Sequence, residues 1–273
     1  MSSRFTADLV LAGLVATLLC GIAVADVTRE PFDAKYSLSV GAFFTDHDTN
    51  IRLDSISGPG TLVNLENDLG LDSTTDILRV DGVWQFADRH RAHFSIFDLS
   101  QEGSRSLEKD LLIDGEPFSI NEAVITDWKM RLFEIGYSYR FRGNQKFQWW
   151  FNFAVFMQDT SITVEETSAG GAVASEDVVL PLPKLGTMLE YAFTKRWIGR
   201  AGLDVLKLEI DDVGGSLVDF RTTLDYRVTE NFNLGVGWHL INVAVDLDRS
   251  VSGWQGRFDW ETRGFLFYGS LAW

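Results

Sequence analysis

Residues 217–228, LVDFRTTLDYRV, decide the fold. The even positions of this stretch, such as Val218, Phe220 and Leu224, are mostly apolar, and the odd positions mostly carry Asp or Arg. Because successive side chains of a β-strand point to opposite faces, the alternation predicts a strand with one apolar and one charged face. Other stretches repeat the pattern, and no segment of comparable length has a helical stripe; the repeats lie at residues 77–86, 132–141 and 147–158.

The alternation predicts ten strands, and their connections differ in length at the two ends. The strands lie near residues 35–45, 75–86, 91–100, 125–141, 146–160, 179–193, 197–210, 217–228, 232–246 and 258–273. The short connections are residues 87–90, 142–145, 194–196 and 229–231. The opposite ends are joined by residues 46–74, 101–124, 161–178 and 247–257, which are long, and by the shorter 211–216. Short turns at one rim and long loops at the other are typical of a transmembrane β-barrel.

Composition excludes two other classes of protein. The formal net charge is −15, from 24 Lys and Arg against 39 Asp and Glu, so no basic face is available for nucleic acid. Mean hydropathy is close to zero. No apolar run after the N-terminus reaches about 18 residues, which excludes a protein with several membrane-spanning helices.

The N-terminus has the three parts of an export signal. Arg4 supplies the positive region, residues 9–22 are apolar, and residues 23–25 read Ala-Val-Ala, a small-x-small cleavage site. We therefore predict a cleaved signal peptide over residues 1–25 and a single barrel domain over residues 26–273.

The only cysteine, Cys20, lies within this signal. Leu19 precedes it where a lipoprotein signal has a small residue, so lipidation is not expected. The mature chain then has no thiolate nucleophile and no cysteine metal site, and we expect neither a metal nor a cofactor.

Aromatic residues cluster where the predicted strands meet the short turns. An aromatic ring with one wet edge suits a membrane interface, so these residues predict a girdle at one side of the membrane. The predicted girdle consists of Trp84, Phe86, Tyr139, Phe141, Phe147, Trp149, Phe193, Trp197, Tyr226 and Phe232.

The last predicted strand has an apolar face and an aromatic end. Phe265, Phe267, Leu271 and Trp273 share one face, and the final residue is aromatic. This resembles the closing strand of bacterial outer-membrane β-barrels. The resemblance implies an all-β, closed antiparallel barrel in the outer membrane of a Gram-negative bacterium, folded by the barrel-assembly machinery and surrounded by lipid and lipopolysaccharide. We predict ten strands, with eight or twelve as alternatives.

The polar faces then point into the lumen, where acids and bases are both well represented. Unpaired buried charge is costly, so these groups are expected to form ion pairs that plug a narrow barrel. A wall of mixed sign is less typical of a selective pore, and a narrow passive channel is the alternative. The predicted ion-pair residues are Arg79, Asp81, Glu134, Arg140, Glu190, Arg200, Asp204, Asp219, Arg221, Asp225 and Arg227.

Excess negative charge lies in and beside the first predicted long loop, from Asp46 to Asp76. Asp46-x-Asp48-x-Asn50 opens like a calcium loop, but Ile51 stands where an EF-hand needs Gly. We therefore expect a solvated acidic loop. A second loop contains Asp114-Gly115, which predicts a small hairpin. Any binding of a surface ligand, whose identity the sequence does not give, is expected in these loops.

Signs of catalysis are few. The sequence has no GxSxG, HExxH, Walker or dinucleotide-binding motif. His93 and Ser95 would share a strand face, as in the His-x-Ser of outer-membrane lipid A deacylases, and Asp46-His47-Asp48 is a weaker protease candidate. The sequence favours a non-enzymatic barrel for surface binding or membrane stabilisation. A passive channel is the first alternative and a lipid-modifying enzyme or protease is the second.

Overall fold

The computed structural model describes residues 27–55, 58–168, 170–210, 213–247 and 255–273. The predicted signal peptide, residues 1–25, lies outside the described residues. Ten long strands form the wall of the molecule. They are β1 (Tyr36–Leu53), β3 (Thr74–Ala87), β4 (His90–Ser106), β7 (Ala123–Gly143), β8 (Phe147–Glu166), β9 (Val173–Ala192), β10 (Trp197–Ile210), β11 (Val213–Arg227), β12 (Phe232–Leu247) and β13 (Gly256–Ala272).

These ten strands pair in chain order, each antiparallel to the next. The last strand, β13, pairs with β1 from Ser37↔Ala272 to Leu53↔Gly256, which closes the sheet on itself. The predicted all-β, ten-stranded antiparallel barrel is confirmed.

Short elements cover the end of the barrel that carries the long loops. Strand β2 (Val63–Asn64) pairs with β1 and leads into α1 (Leu65–Leu69). The Asn64 side chain caps α1 by accepting from the Asn67 backbone N–H at 2.8 Å. Strands β5 (Leu111–Ile113) and β6 (Glu116–Phe118) form the hairpin predicted at Asp114-Gly115. Positive φ angles of 49° and 79° at these two residues suit a tight hairpin turn.

Several strands are longer than predicted, and the largest extensions lie at the long-loop end. β1 continues to Leu53 and β9 begins at Val173, so the prediction that residues 46–74 and 161–178 form loops is wrong in part. Asp46 and Asp48 accordingly lie on the outer face of a strand. Alternation persists in these extensions, but their apolar residues lie on the opposite face, so the outward apolar pattern ends before the strand does.

Strand β1 shows the change of face clearly. In residues 36–44 the outward side chains are apolar, with Val40 and Phe44 nearly half exposed. In residues 45–53 the outward side chains are polar, and the inward ones include the buried Ile51 and Leu53. We call the two parts of the barrel the turn-end half, which has apolar residues outside, and the loop-end half, which has apolar residues inside.

The outer face of the turn-end half is a continuous apolar belt. On β8 the belt occupies every second residue from Phe147 to Met157, and Asp159 follows it. At about 3.3 Å per residue and a tilt of about 40°, the belt is about 25 Å tall, which matches the hydrocarbon layer that barrels span. Exposed members include Leu78, Ile135, Phe153, Leu185, Val205, Val236, Phe265, Phe267 and Leu271.

The inner face of the loop-end half is a hydrophobic core like that of a water-soluble protein. Trp128, Trp260 and Phe258 lie at its centre and are at most 1% exposed. Leu65 and Leu69 of α1 and Phe118 of β6 join the same cluster. The loop elements therefore close this end of the barrel.

The wall has a seam between β9 and β10. β9 pairs with β8 from Val173↔Glu165 to Tyr191↔Phe147, but with β10 only from Leu185↔Val205 onward. Pro181 and Pro183 have no backbone N–H, and alternate residues of a strand face opposite neighbours. Because the ladder to β8 continues past both prolines and the ladder to β10 stops beside them, we infer that the missing donors belong to the β10 side.

Candidate functional site

The inward faces of the turn-end half surround a polar chamber, a cavity of about 200 Å³. Its lining runs from the N-terminal segment, including Arg29 and Lys35, to charged residues of six strands. The chamber therefore brings together charged residues from distant parts of the chain.

The charged layer is organised around Lys184, whose side chain is 1% exposed. Its Nζ lies 2.8 Å from Glu134, 3.3 Å from Asp204 and 2.5 Å from Asp219. One buried cation thus joins three carboxylates from three different strands. A Cβ at Gly186 would lie 2.0 Å from the carboxylate of Asp204, so glycine at this position leaves room for the cluster.

Two further groups of charges continue this layer. Asp81 lies 2.9 Å from Arg79 and 3.2 Å from Arg221, and the Arg79 guanidinium reaches His239 Nδ1 at 2.9 Å. His239 Nε2 in turn lies 2.7 Å from Asp219, which connects this group to Lys184. The result is one continuous network across the lumen.

The second group is centred on Glu190. Arg91 lies 3.2 Å from Glu190 and Arg200 lies 3.0 Å from it, and Arg200 also pairs with Asp225. Arg91 stacks over the indole of Trp150 at 4.0 Å. The Tyr268 hydroxyl donates to Asp225 at 2.7 Å. These contacts fix both arginines in position.

Nine of the eleven predicted ion-pair residues lie in these networks. Of the other two, Arg140 lies over Trp150 at 5.6 Å, and Arg227 lies at the short-turn mouth. Sequence reasoning missed Lys184 and Tyr268. Lys184 shares the even numbering of Glu190 on β9, and Tyr268 lies opposite the apolar face of β13, so the alternation contained both signals.

An apolar layer lies directly on the charged layer. Phe43, Phe97 and Phe156 are each at most 4% exposed. The Lys184 ammonium lies 5.8 Å from the Phe156 ring, and the Arg79 guanidinium lies 5.4 Å from the Phe97 ring. The chamber therefore ends beneath these rings.

His93 faces the lumen with partners that differ from the predicted one. Its Nδ1 lies 3.3 Å from the Ser138 hydroxyl, and its Nε2 lies 3.3 Å from Glu134. Among the described contacts there is none between His93 and Ser95. A Cβ at Gly136 would lie 2.2 Å from His93 Nε2, so this glycine makes room for the ring. The sequence missed this arrangement because the partners come from another strand.

The other candidate histidine, His47, does not join its neighbouring carboxylates. His47 points inward, is 3% exposed and stacks on Trp260 at 6.3 Å. Asp46 and Asp48 point outward, as strand alternation requires. The protease arrangement drawn from these three residues is therefore wrong.

The chain segment before β1, residues 27–35, lies against the mouth of the chamber. Glu230, in the turn after β11, accepts from the backbone N–H groups of Thr28 and Arg29 at 3.0 and 3.3 Å. A hydrogen bond from the Thr28 hydroxyl, together with these two backbone bonds, lowers the pKa of Glu230. Lys195 pairs with Glu30 at 2.9 Å. Contacts with two turns hold the segment in place.

The residues of the predicted girdle lie on the outer face near the short turns. Trp197 contacts Tyr226, and Trp149 contacts Phe141. The four residues of the predicted closing signal, Phe265, Phe267, Leu271 and Trp273, are each at least half exposed. At this position they extend the apolar belt to the final residue.

At the opposite end, acids are held by local hydrogen bonds. Asp48 accepts from the amide groups of Asn50 and Asn64 at 3.2 and 2.8 Å. Glu66 of α1 accepts from the backbone N–H of Thr49 at 2.9 Å, and partial burial raises its pKa. Within the described ranges, no group of His, Asp or Glu is arranged to hold a metal.

Among the described helical residues, there is no segment with the length and hydropathy needed to cross a membrane as a helix.

Comparison with solved structures finds barrels. OmpT, the outer membrane protease of Escherichia coli, is 9% identical over 92% of this chain and 100% of its own, with a TM-score of 0.53. The Pseudomonas putida toluene transporter TodX is 9% identical over 92% and 93% of the two chains, with a TM-score of 0.38. Neisserial surface protein A is 9% identical over 88% and 98%, with a TM-score of 0.37.

The fold is that of a bacterial outer-membrane β-barrel. The predicted resemblance to this class is confirmed at the level of the fold. No family model and no curated protein matches the sequence. At 9% identity the likeness to OmpT shows the fold alone.

Proposed function

We propose that this chain is an integral outer-membrane barrel of a Gram-negative bacterium with a sealed lumen and a non-enzymatic role at the cell surface. In this proposal the signal over residues 1–25 is cleaved after export, and the barrel-assembly machinery inserts the rest. The apolar belt contacts lipid and the short turns face the periplasm. The loop-end half projects beyond the membrane among the lipopolysaccharide sugars.

One observation carries the sealed lumen: the charged layer around Lys184 lies directly beneath an apolar layer. Ions crossing the barrel would have to break the contacts of Lys184 with three carboxylates and then pass Phe156 and Phe97. Both steps are costly, because they expose unpaired charge to an apolar surrounding.

A binding or stabilising role follows from the loop-end half. Its core holds α1 and the β5–β6 hairpin against the barrel through Leu65 and Phe118. A surface fixed in this way loses little conformational entropy on binding a partner. We propose that these loops contact the surface ligand, or the lipopolysaccharide layer itself.

Single-channel recording tests the sealed lumen. The folded barrel, checked by heat-modifiable gel migration, is inserted into planar bilayers at high salt. We expect no discrete conductance steps. Steps whose size rises with salt concentration would contradict the sealed lumen and support the alternative, a narrow passive channel.

A second candidate function rests on the contacts of His93 with Ser138 and Glu134. A serine, a histidine and a carboxylate in sequence resemble a nucleophile, base and orienting acid. Ser138 is fully buried, which favours a structural role. A mass shift of lipid A in cells that express the protein, abolished by His93→Ala, would support an enzyme. Its absence would favour the non-enzymatic role.

A further inference from the structure

Arginines in the chamber and arginines at its mouth have different partners. Inside the chamber, Arg79, Arg91, Arg200 and Arg221 each lie within 3.2 Å of a carboxylate. Among the ion pairs of the described residues, Arg227 at the mouth has none. The same holds for its neighbour Arg29.

Arg227 contacts only carbonyl oxygens. It is 3% exposed, and its Nη1 donates to the carbonyls of Arg29 and Lys195, each at 2.9 Å. Its buried Nη2 has no hydrogen-bond partner among the described residues. The Nη1 group therefore has two carbonyl acceptors, and the two N–H donors of Nη2 have none.

Arg29, which lies beside Arg227, repeats this pattern. Its Nη2 donates to the carbonyls of Glu230 and Ala272 at 2.6 and 3.0 Å, and its buried Nε has no partner within the described ranges. Both arginines line the same cavity of about 200 Å³. Glu30 and Glu230 are nearby, but Glu30 pairs with Lys195 and Glu230 accepts from backbone N–H groups.

Arg227 is buried and Arg29 is half-buried, and neither forms a direct ion pair among those of the described residues. Burying positive charge without a direct partner is costly, and an anion that accepts from both guanidiniums reduces that cost. A guanidinium binds oxygen anions best, because its N–H groups match the spacing of carboxylate and phosphate oxygens. We propose that the mouth of the chamber is a binding site for a small oxyanion, the phosphate or carboxylate group of a soluble molecule or of a lipid headgroup, held by Arg227 and Arg29.

Isothermal titration of the folded full-length barrel in detergent tests the site, with inorganic phosphate and acetate as probes. We expect saturable binding of at least one anion. Arg227→Gln should weaken it about tenfold or more, because hydrogen bonds to charged groups contribute about 1.5–3 kcal/mol. Arg142→Gln is the matched control. It removes one exposed positive charge at the same rim, outside the cavity lining, and should change the affinity less than about twofold.

The result can go against the proposal in two ways. No saturable binding of either anion overturns it, and so does an affinity that Arg227→Gln leaves unchanged. If Arg227→Gln does not fold, Arg29→Gln provides the same test at the adjacent arginine. Repeating the phosphate titration in phosphatidylglycerol and phosphatidylcholine nanodiscs identifies the source. A phosphate affinity that is lower in phosphatidylglycerol than in phosphatidylcholine means that the lipid competes for the site, and it assigns the oxyanion to a lipid headgroup. Equal phosphate affinity in the two lipids assigns the oxyanion to a soluble molecule.

Discussion

The two halves of this barrel have the same strands and the same alternation, yet opposite polarity. On β8, the outward residue Phe153 is half exposed in the belt, whereas the outward Asp159 and Glu165 lie beyond it. Inward, the order is reversed, with Asn152 near the chamber and Ile162 in the core. The comparison teaches that the pleat fixes only which residues share a face. Whether the apolar face turns outward depends on whether lipid or water surrounds that part of the wall.

The largest expected effect is at the charged layer. Lys184→Met should destabilise the barrel by about 3–5 kcal/mol, because it leaves three buried carboxylates without their shared cation. Urea unfolding in lipid vesicles, followed by tryptophan fluorescence, measures the loss. Lys129→Met, on the exposed outer face of β7 in the loop-end half, is the control and should stay within about 0.5 kcal/mol of the wild type. Equal losses in both variants would contradict a special role for the charged layer.

The next effect compares two positions on one face of β8. Phe153→Arg should cost about 2–4 kcal/mol, because it places a charge in the middle of the lipid-facing belt. Ser161→Arg, eight residues further along the same face, should stay within about 0.5 kcal/mol because water surrounds that half. Similar unfolding free energies for the two variants would contradict a boundary of the apolar belt between Phe153 and Ser161.

The pH dependence of stability should have opposite signs at the two ends. Burial raises the pKa of Glu66, so its contribution to stability is full below the pKa of the unfolded chain and is lost as pH rises through the folded value. Hydrogen bonds lower the pKa of Glu230, so its contribution is full above the unfolded pKa and is lost as pH falls through the folded value.

Urea midpoints at about pH 7 and pH 4, on either side of the ordinary pKa of Glu, measure both effects. On acidification from pH 7 to pH 4, the stability of Glu66→Gln should fall relative to that of the wild type. The stability of Glu230→Gln should rise relative to that of the wild type. If acidification changed the stability of both variants in the same direction relative to the wild type, the opposite pKa shifts of Glu66 and Glu230 would be contradicted.

The smallest effect is expected at the seam. Pro183→Thr restores a backbone donor beside the end of the β9–β10 ladder, and one added hydrogen bond contributes about 0.5–1.5 kcal/mol. We expect slower hydrogen exchange of the amides in residues 206–208 of β10. Unchanged exchange there would mean that the proline does not limit the pairing of these two strands.

The strand count and the lumen face were accessible from the sequence because alternation is a local property. Asp219, Arg221 and Asp225 could be assigned to one face from residues 217–228 alone. The partners of these residues could not, because Lys184 reaches Asp219 from a strand 35 positions away. The same limit applied to His93, whose neighbours Ser138 and Glu134 depend on the β4–β7 register.

The strand extensions were missed for a different reason. In residues 45–53 the apolar side chains move to the inner face, so following the outer face alone ended β1 too early. The segment over residues 27–35 has no periodicity of its own, and its position depends on contacts with Glu230 and Lys195 in distant turns.

The sequence by itself determined the class of fold, because period-two alternation, short turns and an aromatic end are properties of neighbouring residues. Only the tertiary structure decided which residues block the lumen and which residues line the chamber and its mouth. The ceiling over the chamber, the cluster around Lys184 and the two arginines at the mouth each join residues far apart in the chain. Barrel closure brings such residues together, and the register that sets their distances is a property of the whole sheet.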